Sequence, residues 1–248
     1  MKTTWHQKRE HIFRKLEIRF RSVLLIFFVA SLYFVLLYKR QNPGMTPLMV
    51  IRFVQQISAS KPITLKYTRV PIQKISDAGI YAVMAGEDQK FLDHYGFDFD
   101  ALRNALETNL KNKSISLGGS TISQQTAKNL FLWPGRSIVR KAIESYFTIL
   151  IELWRSKERI LEVYLNIIEF GDGIYGIQQA AQYYFDTSAD KLTRQQAALL
   201  AAILPNPRYY QHHLRSYRVA KRKSNITSGI NRLKWEEEQK AFIQEIKQ

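Results

Sequence analysis

Seventeen consecutive residues without a charge, Ser22 to Tyr38 (SVLLIFFVASLYFVLLY), constrain this chain more than any other feature. In water such a run must be covered on every side, whereas in a bilayer it needs no cover. As a helix it reaches about 25 Å at 1.5 Å per residue, slightly less than a hydrocarbon core. Tyr33 and Tyr38 suit the interface, and Arg21 and Lys39 can extend their charged ends to headgroups. Upstream stand Lys2, Lys8, Arg9, Arg14, Lys15, Arg19 and Arg21 against only Glu10 and Glu17, and downstream the basic set is smaller, Lys39, Arg40 and Arg52. That bias predicts a cytoplasmic N-terminus. KRQNPG (39–44) occupies the place where a cleavage site would need small residues, so an uncleaved single-pass anchor is expected. The expected organisation is a basic cytoplasmic tail (1–21), the anchor (22–38), a Pro/Gly-containing stalk (39–62) and a domain (63–248) outside the cytoplasm.

The chain carries 37 Lys+Arg against 21 Asp+Glu, a formal charge of +16. Such an excess attracts anions, and nucleic acid, lipid phosphates and pyrophosphates all qualify. An external domain excludes nucleic acid and leaves anionic membrane lipids as the partner for the surplus charge. With no cysteine, disulfides, thiolate nucleophiles and cysteine-based metal sites are excluded together. His212 and His213 are adjacent and cannot share a helical face, so no metal-ligand set stands out.

After the stalk the apolar period is helical. Helices are expected over Ile75–His94, Phe99–Leu110 and Thr121–Leu132, the last stopped by Trp133-Pro134-Gly135. A long helical stretch from Ile138 to about Asn166 breaks near Ser156, and Gly171-Asp172-Gly173 marks a loop. Ile177–Phe185 and Arg194–Leu204 follow, the latter opened by a Thr193/Gln196 capping box. Arg208–Gln248 reads as a basic helix with a polar surface, and LKNKSISL (110–117) as a mobile, partly basic loop that orders on substrate binding. The fold class is mainly α.

Three segments can carry chemistry. In the first, the apolar run Ile80–Ala85 leads into Glu87-Asp88, and on a helix Glu87, Phe91 and His94 form one stripe. A carboxylate delivered by a buried helix gains proton affinity and becomes a useful base, while a solvated amphipathic helix fits the spacing as well. The second is Gly118-Gly119-Ser120-Thr121, followed by Ser123, Gln124, Gln125, Lys128 and Asn129. Thr121 and Gln124 form a capping box, and free N–H groups at that helix start would suit phosphate, with Gln125 and Lys128 on the same face. An ordinary capped helix is the alternative. The third pairs Arg140 with Glu144 at i,i+4, either an intrahelical ion pair or a second active carboxylate held by a phosphate-binding guanidinium.

These segments, in order, resemble the peptidoglycan glycosyltransferases, in the monofunctional biosynthetic transglycosylase branch. The resemblance rests on EDQKFLDHYGFDFDAL (87–102), GGSTISQQTAKNLFLWPGRS (118–137), RKAIESYFTILIELWRSKERILEVYLNIIEFG (140–171), GIYGIQQAAQYYF (173–185) and LTRQQAALLAAILPNPRYY (192–210). It implies a two-lobed lysozyme-like helical domain, head and membrane-proximal jaw, that polymerises lipid II onto a lipid-linked nascent glycan at the inner membrane. By motif position, Glu87 would be the general base that takes the proton from the acceptor's 4-hydroxyl. Glu144 would assist the pyrophosphate end, an assistance that a divalent cation such as Mg²⁺ would mediate. Lys128 and Arg140 would neutralise the pyrophosphate, while Ser120, Thr121, Gln124, Gln125 and Asn129 would position substrate oxygens and Asp88 would steady the base. Other cell-wall synthases are the implied protein partners. Ser123 stands where the family more often has threonine, and Pro205-Asn206-Pro207, as in the monofunctional branch, stands where many bifunctional relatives carry a lysine. A glycan hydrolase would also need two carboxylates, but it has no use for a cationic pyrophosphate site.

Overall fold

The computed structural model describes residues 5–60, 62–111, 119–135 and 137–248. The chain divides into two units, Met1–Gln41 and Asn42–Gln248. The first holds one continuous helix, α1 (Trp5–Arg40). Its Arg9–Arg40 portion is long and apolar enough to cross a membrane by length and composition. Charge returns only at Lys39 and Arg40, in the last turn, where cations favour the negative end of the helix dipole. The expected tail and anchor are thus one helix across all the residues described.

The second unit begins inside the expected stalk. α2 (Pro47–Ser58) starts with Thr46 as N-cap, whose hydroxyl accepts the Met49 N–H, and Pro47 in the first turn costs no hydrogen bond there. Met49 and Gln56 are buried. Gln56 accepts the Thr64 N–H at 2.9 Å and donates to Asp172 at 3.2 Å, so this segment is fastened to the domain that follows it.

The rest is helical: α3 (Asp77–Glu87), α4 (Phe99–Lys111), α5 (Ile122–Phe131), α6 (Ile138–Trp154), α7 (Lys157–Ile167), α8 (Ile177–Phe185), α9 (Arg194–Ile203), α10 (Pro207–Tyr210), α11 (Tyr217–Trp235) and α12 (Glu237–Ile246). The break between α6 and α7 falls where expected, with Ser156 capping the second helix through the Arg159 N–H. Both expected capping boxes form, Thr121 with Gln124 and Thr193 with Gln196. The expected C-terminal helix is instead three, with turns at His212-His213 and at Glu236. The loop expected at 110–117 lies outside the described residues except for its start, where Leu110 and Lys111 end α4. Gly118 of the glycine pair also lies outside them.

Two findings depart further from the expectation. One is a short three-stranded sheet in the order β1–β3–β2, from β1 (Lys66–Tyr67), β2 (Glu169–Gly171) and β3 (Ile174–Tyr175). β3 pairs parallel with β1 and antiparallel with β2. The other is the early end of α3. The helix stops at Glu87 because Asp88 turns to φ −162°, ψ 83°, so Glu87, Phe91 and His94 share no helical stripe.

α3 is apolar on all sides, with Ile80, Tyr81, Ala82, Val83, Met84 and Ala85 buried, and it packs between α9 and α11. Close approach to α11 depends on small residues. A Cβ on Gly86 would sit 3.1 Å from Ile226 Cδ1, and one on Gly229 would sit 3.0 Å from Ala85 Cβ. α5 lies against α6 and α7. The C-terminal end of α3 and the whole of α5 are thereby held in one core, and both carry the residues singled out in the sequence.

The sheet turn tests this packing. Gly173 has φ +76°, and a Cβ there would lie 1.9 Å from the Thr64 carbonyl oxygen, while its own carbonyl accepts the Lys66 N–H at 2.7 Å. Gly173→Ala therefore combines left-handed strain with a backbone clash, and a loss of about 3 kcal/mol is expected. A thermal melt unchanged from wild type would contradict this.

Candidate active site

The site begins with the way α3 delivers Glu87. An all-apolar helix cannot turn to face water, so its last residue emerges at a fixed point and only 11% of the Glu87 side chain is exposed. One carboxylate oxygen accepts from Gln125 Nε2 of α5 at 2.7 Å. The other faces Arg222 Nη2 of α11 at 3.1 Å. Gln125 is itself oriented, since its carbonyl oxygen accepts the Tyr164 hydroxyl of α7 at 3.1 Å. Burial raises the proton affinity of Glu87, the Gln125 hydrogen bond and the charges of Arg222 and Lys128 oppose that rise, and Asp88 adds to it. The same burial, with Glu87 and Asp88 nearby, drives the Tyr164 hydroxyl well above its ordinary range, so it stays a neutral donor.

Asp88 faces inward. Its oxygens meet His94 Nε2 at 3.0 and 3.1 Å and accept the Ile122 N–H, the first of α5, at 3.0 Å. Thr121 accepts the Gln124 N–H and donates to the Gly96 carbonyl at 2.7 Å, and the Gln124 side chain accepts the Thr121 N–H. This corrects the expectation of free N–H groups at the start of α5. The helix end that was to receive phosphate already holds a carboxylate and a hydroxyl of the protein, and Thr121, Gln124 and Asp88 are buried structural partners there. Ser123 donates to Glu152, which pairs with Lys157 at 2.9 Å. Ser120 is exposed.

Two cavities flank Glu87. One, of about 310 Å³, is lined by Glu87, Gln89, Lys90, Asn104, Gly119 and Ser120, among others. The second, of about 360 Å³, is lined by Gln125, Lys128, Asn129 and Arg140, with Arg52 and Arg208 from distant parts of the chain. Gln125 belongs to the second cavity and hydrogen-bonds the carboxylate of the first. Burial lowers the proton affinity of the Lys128 ammonium, Glu144 opposes that and Arg140 adds to it, and no hydrogen bond engages the ammonium among the described residues. Buried Asn129 Nδ2 and Arg140 Nε also lack a partner there. Unsatisfied buried donors are costly, so this cavity is prepared for an acceptor-rich anion.

Glu144 is buried, with one oxygen on Arg140 Nη1 at 2.8 Å and the other on Lys141 Nζ. The ion pair read from the i,i+4 spacing therefore forms, and it aims the guanidinium of Arg140 at the cavity. Both Glu144 oxygens already face cations, and no group of three or more His, Asp or Glu among the described residues could hold a metal ion. The donor set thus does not fit a resident divalent cation on Glu144.

Sequence reasoning missed Arg222, Tyr164, Arg52, Arg208 and Glu169. Arg208 directly follows Pro205-Asn206-Pro207 and was the most findable of them, but Arg222 lies 135 positions from Glu87 in a helix that reads only as basic and polar. Glu169 is buried against Arg52 at 3.5 Å, and burial raises its carboxyl to about 6, opposed by Arg52 and Arg208. A folded-state value above the unfolded one stabilises the fold below about 4.5, and that stability is lost as pH rises through about 6. The loss amounts to about 2 kcal/mol. Glu169→Gln removes it, so melting of the variant relative to wild type should improve between pH 4.5 and pH 7. A constant difference over that window would contradict the assignment.

Comparison with known proteins follows the same residues. The family model described as Transglycosylase matches residues 55–231. A Bdellovibrio bacteriovorus protein named biosynthetic peptidoglycan transglycosylase is 45% identical over 93% of this chain and 88% of its own length. Proteins of the same name from Bacteroides thetaiotaomicron and Pseudomonas fluorescens are 49% and 47% identical, over 85% and 87% of this chain and 85% and 89% of their own lengths.

Proposed function

The chain belongs to the transglycosylase family, and from that membership we propose that it polymerises glycan strands from lipid II at the outer face of the cytoplasmic membrane. The observation that carries the reading is the Gln125 bridge. A carboxylate of raised proton affinity lies one side chain away from a cavity in which the Lys128 ammonium has no hydrogen bond among the described residues and Asn129 Nδ2 and Arg140 Nε lack acceptors. Glu87 takes the proton of the acceptor's 4-hydroxyl as that oxygen attacks C1 of the donor sugar. The bond from C1 to the lipid pyrophosphate breaks, and a β-1,4 link forms with inversion. The acceptor sugar occupies the cavity of Glu87 and Ser120, and the donor pyrophosphate that of Lys128, Asn129 and Arg140.

Charge grows on the departing undecaprenyl pyrophosphate as the bond breaks, and fixed cations in a dry site stabilise it by several kcal/mol. Glu144 acts through Arg140, keeping the guanidinium in place between turnovers. Arg208 supplies a cation from the fifth motif, where many bifunctional relatives have lysine. A divalent cation, if it takes part, arrives with the pyrophosphate as part of the substrate. The excess of Lys and Arg before the apolar run supports a cytoplasmic N-terminus, with surplus Lys and Arg meeting anionic lipids and other synthases as neighbours.

The test is gel resolution of products from labelled lipid II with Mg²⁺, using the detergent-purified full chain. Wild type should yield long glycan, and Glu87→Gln at least about 100-fold less. Equal polymer from both would move the base elsewhere, and shortening of preformed glycan would make the protein a hydrolase.

A further inference from the structure

We infer that Arg222 is a positioning residue that holds the Glu87 carboxylate oriented and ionised, so that α11 is part of the apparatus activating the acceptor hydroxyl. The inference rests on the reading of Glu87 as the base. One guanidinium nitrogen, Nη2, reaches both the Gly86 carbonyl at 3.3 Å and Glu87 Oε1 at 3.1 Å. The carbonyl belongs to the last turn of α3, where backbone acceptors have no partner within the helix. A single side chain therefore ties the helix end and the carboxylate it carries to the same point on α11. Gln125 holds the other oxygen at 2.7 Å from a different element. With both oxygens fixed from two sides, the carboxylate cannot rotate away from the cavity.

The approach leaves little slack. Gly86 and Gly229 let α3 and α11 approach closely, since a Cβ on either would come within 3.0–3.1 Å of a side chain of the other helix. The groups facing Glu87 are Arg222 from α11, Lys128 and Gln125 from α5, Tyr164 from α7, and its own neighbour Asp88. Of these, Arg222 and Lys128 are the cations, while Lys90, which lines the Glu87 cavity, is paired with Asp100 at 3.0 Å. Lys128 also lines the anion cavity and interacts with Glu144. Once a pyrophosphate fills that cavity, the positive charge of Lys128 is offset by the donor. Arg222 is then the cation that continues to favour ionised Glu87 in the loaded enzyme, when the proton must be taken.

Arg222→Gln and Arg222→Lys in the full chain provide the test, with two readouts. In the first, ¹³C-carboxylate NMR follows the titration of Glu87 without substrate, its signal assigned by its loss in Glu87→Gln. In Arg222→Gln it should titrate at higher pH than in wild type. In the second, the polymerisation rate is measured against pH. For Arg222→Gln, kcat at pH 7 should fall at least about tenfold and largely recover by pH 9, with KM changed less than about twofold. Unchanged titration of Glu87, or a loss of rate equal at every pH, would overturn the inference. Should Arg222→Gln fail to fold by circular dichroism, Arg222→Lys, with shorter reach, should still move the titration upward, and no movement would overturn the inference. Absence of polymer from wild type would sink the proposed function instead, while the titration would still decide whether Arg222 sets the charge of Glu87.

Discussion

A buried carboxylate that takes no part in the proposed reaction holds the site together. Asp88 accepts the first N–H of α5 and faces His94, so it joins the end of α3 to the start of the helix that carries Gln125, Lys128 and Asn129. A carboxylate at a helix N-terminus is favoured by both hydrogen bonding and the dipole, and shielding from water strengthens both. Without that joint the distance from Glu87 to Gln125 would not be defined. The two neighbouring acids are thus divided by environment. Asp88 is tied into the structure, and Glu87 has the raised proton affinity that the proposed reaction needs.

The anion cavity follows the same logic in reverse. Its walls carry cations and amide donors that the protein leaves without acceptors, among them Lys128, Asn129 Nδ2 and Arg140 Nε. Glu144 compensates part of that charge from behind and fixes Arg140. In the proposed reaction these donors would meet the anion whose charge grows as the bond to the lipid pyrophosphate breaks.

Much of this was legible in order along the chain. The long apolar helix, both capping boxes and the break at Ser156 follow from period, caps and motif spacing, because these are local properties. Two expectations failed for a shared reason. The extension of α3 to His94 and the open N–H groups of α5 each assume that a helix end meets water. In the fold they meet each other, through Asp88, and that contact ends one helix and caps the next. The sheet escaped notice because its strands are two or three residues long, too short for any periodicity.

By itself the sequence determined the long apolar helix, the helical class and the types of group available to the site: one acidic pair, one capped helix with lysine and amides, and one Arg–Glu pair. Those depend on neighbours within a few positions, where spacing alone decides which side chains share a face. Tertiary structure alone decided how far Glu87 is buried, which donors remain free and which distant cations join them. Arg222 reaches Glu87, and Arg52 and Arg208 reach the wall shared with Lys128, because packing brings α2, α10 and α11 onto one core. Burial and charge are properties of that packing, since they depend on everything within several ångströms in space.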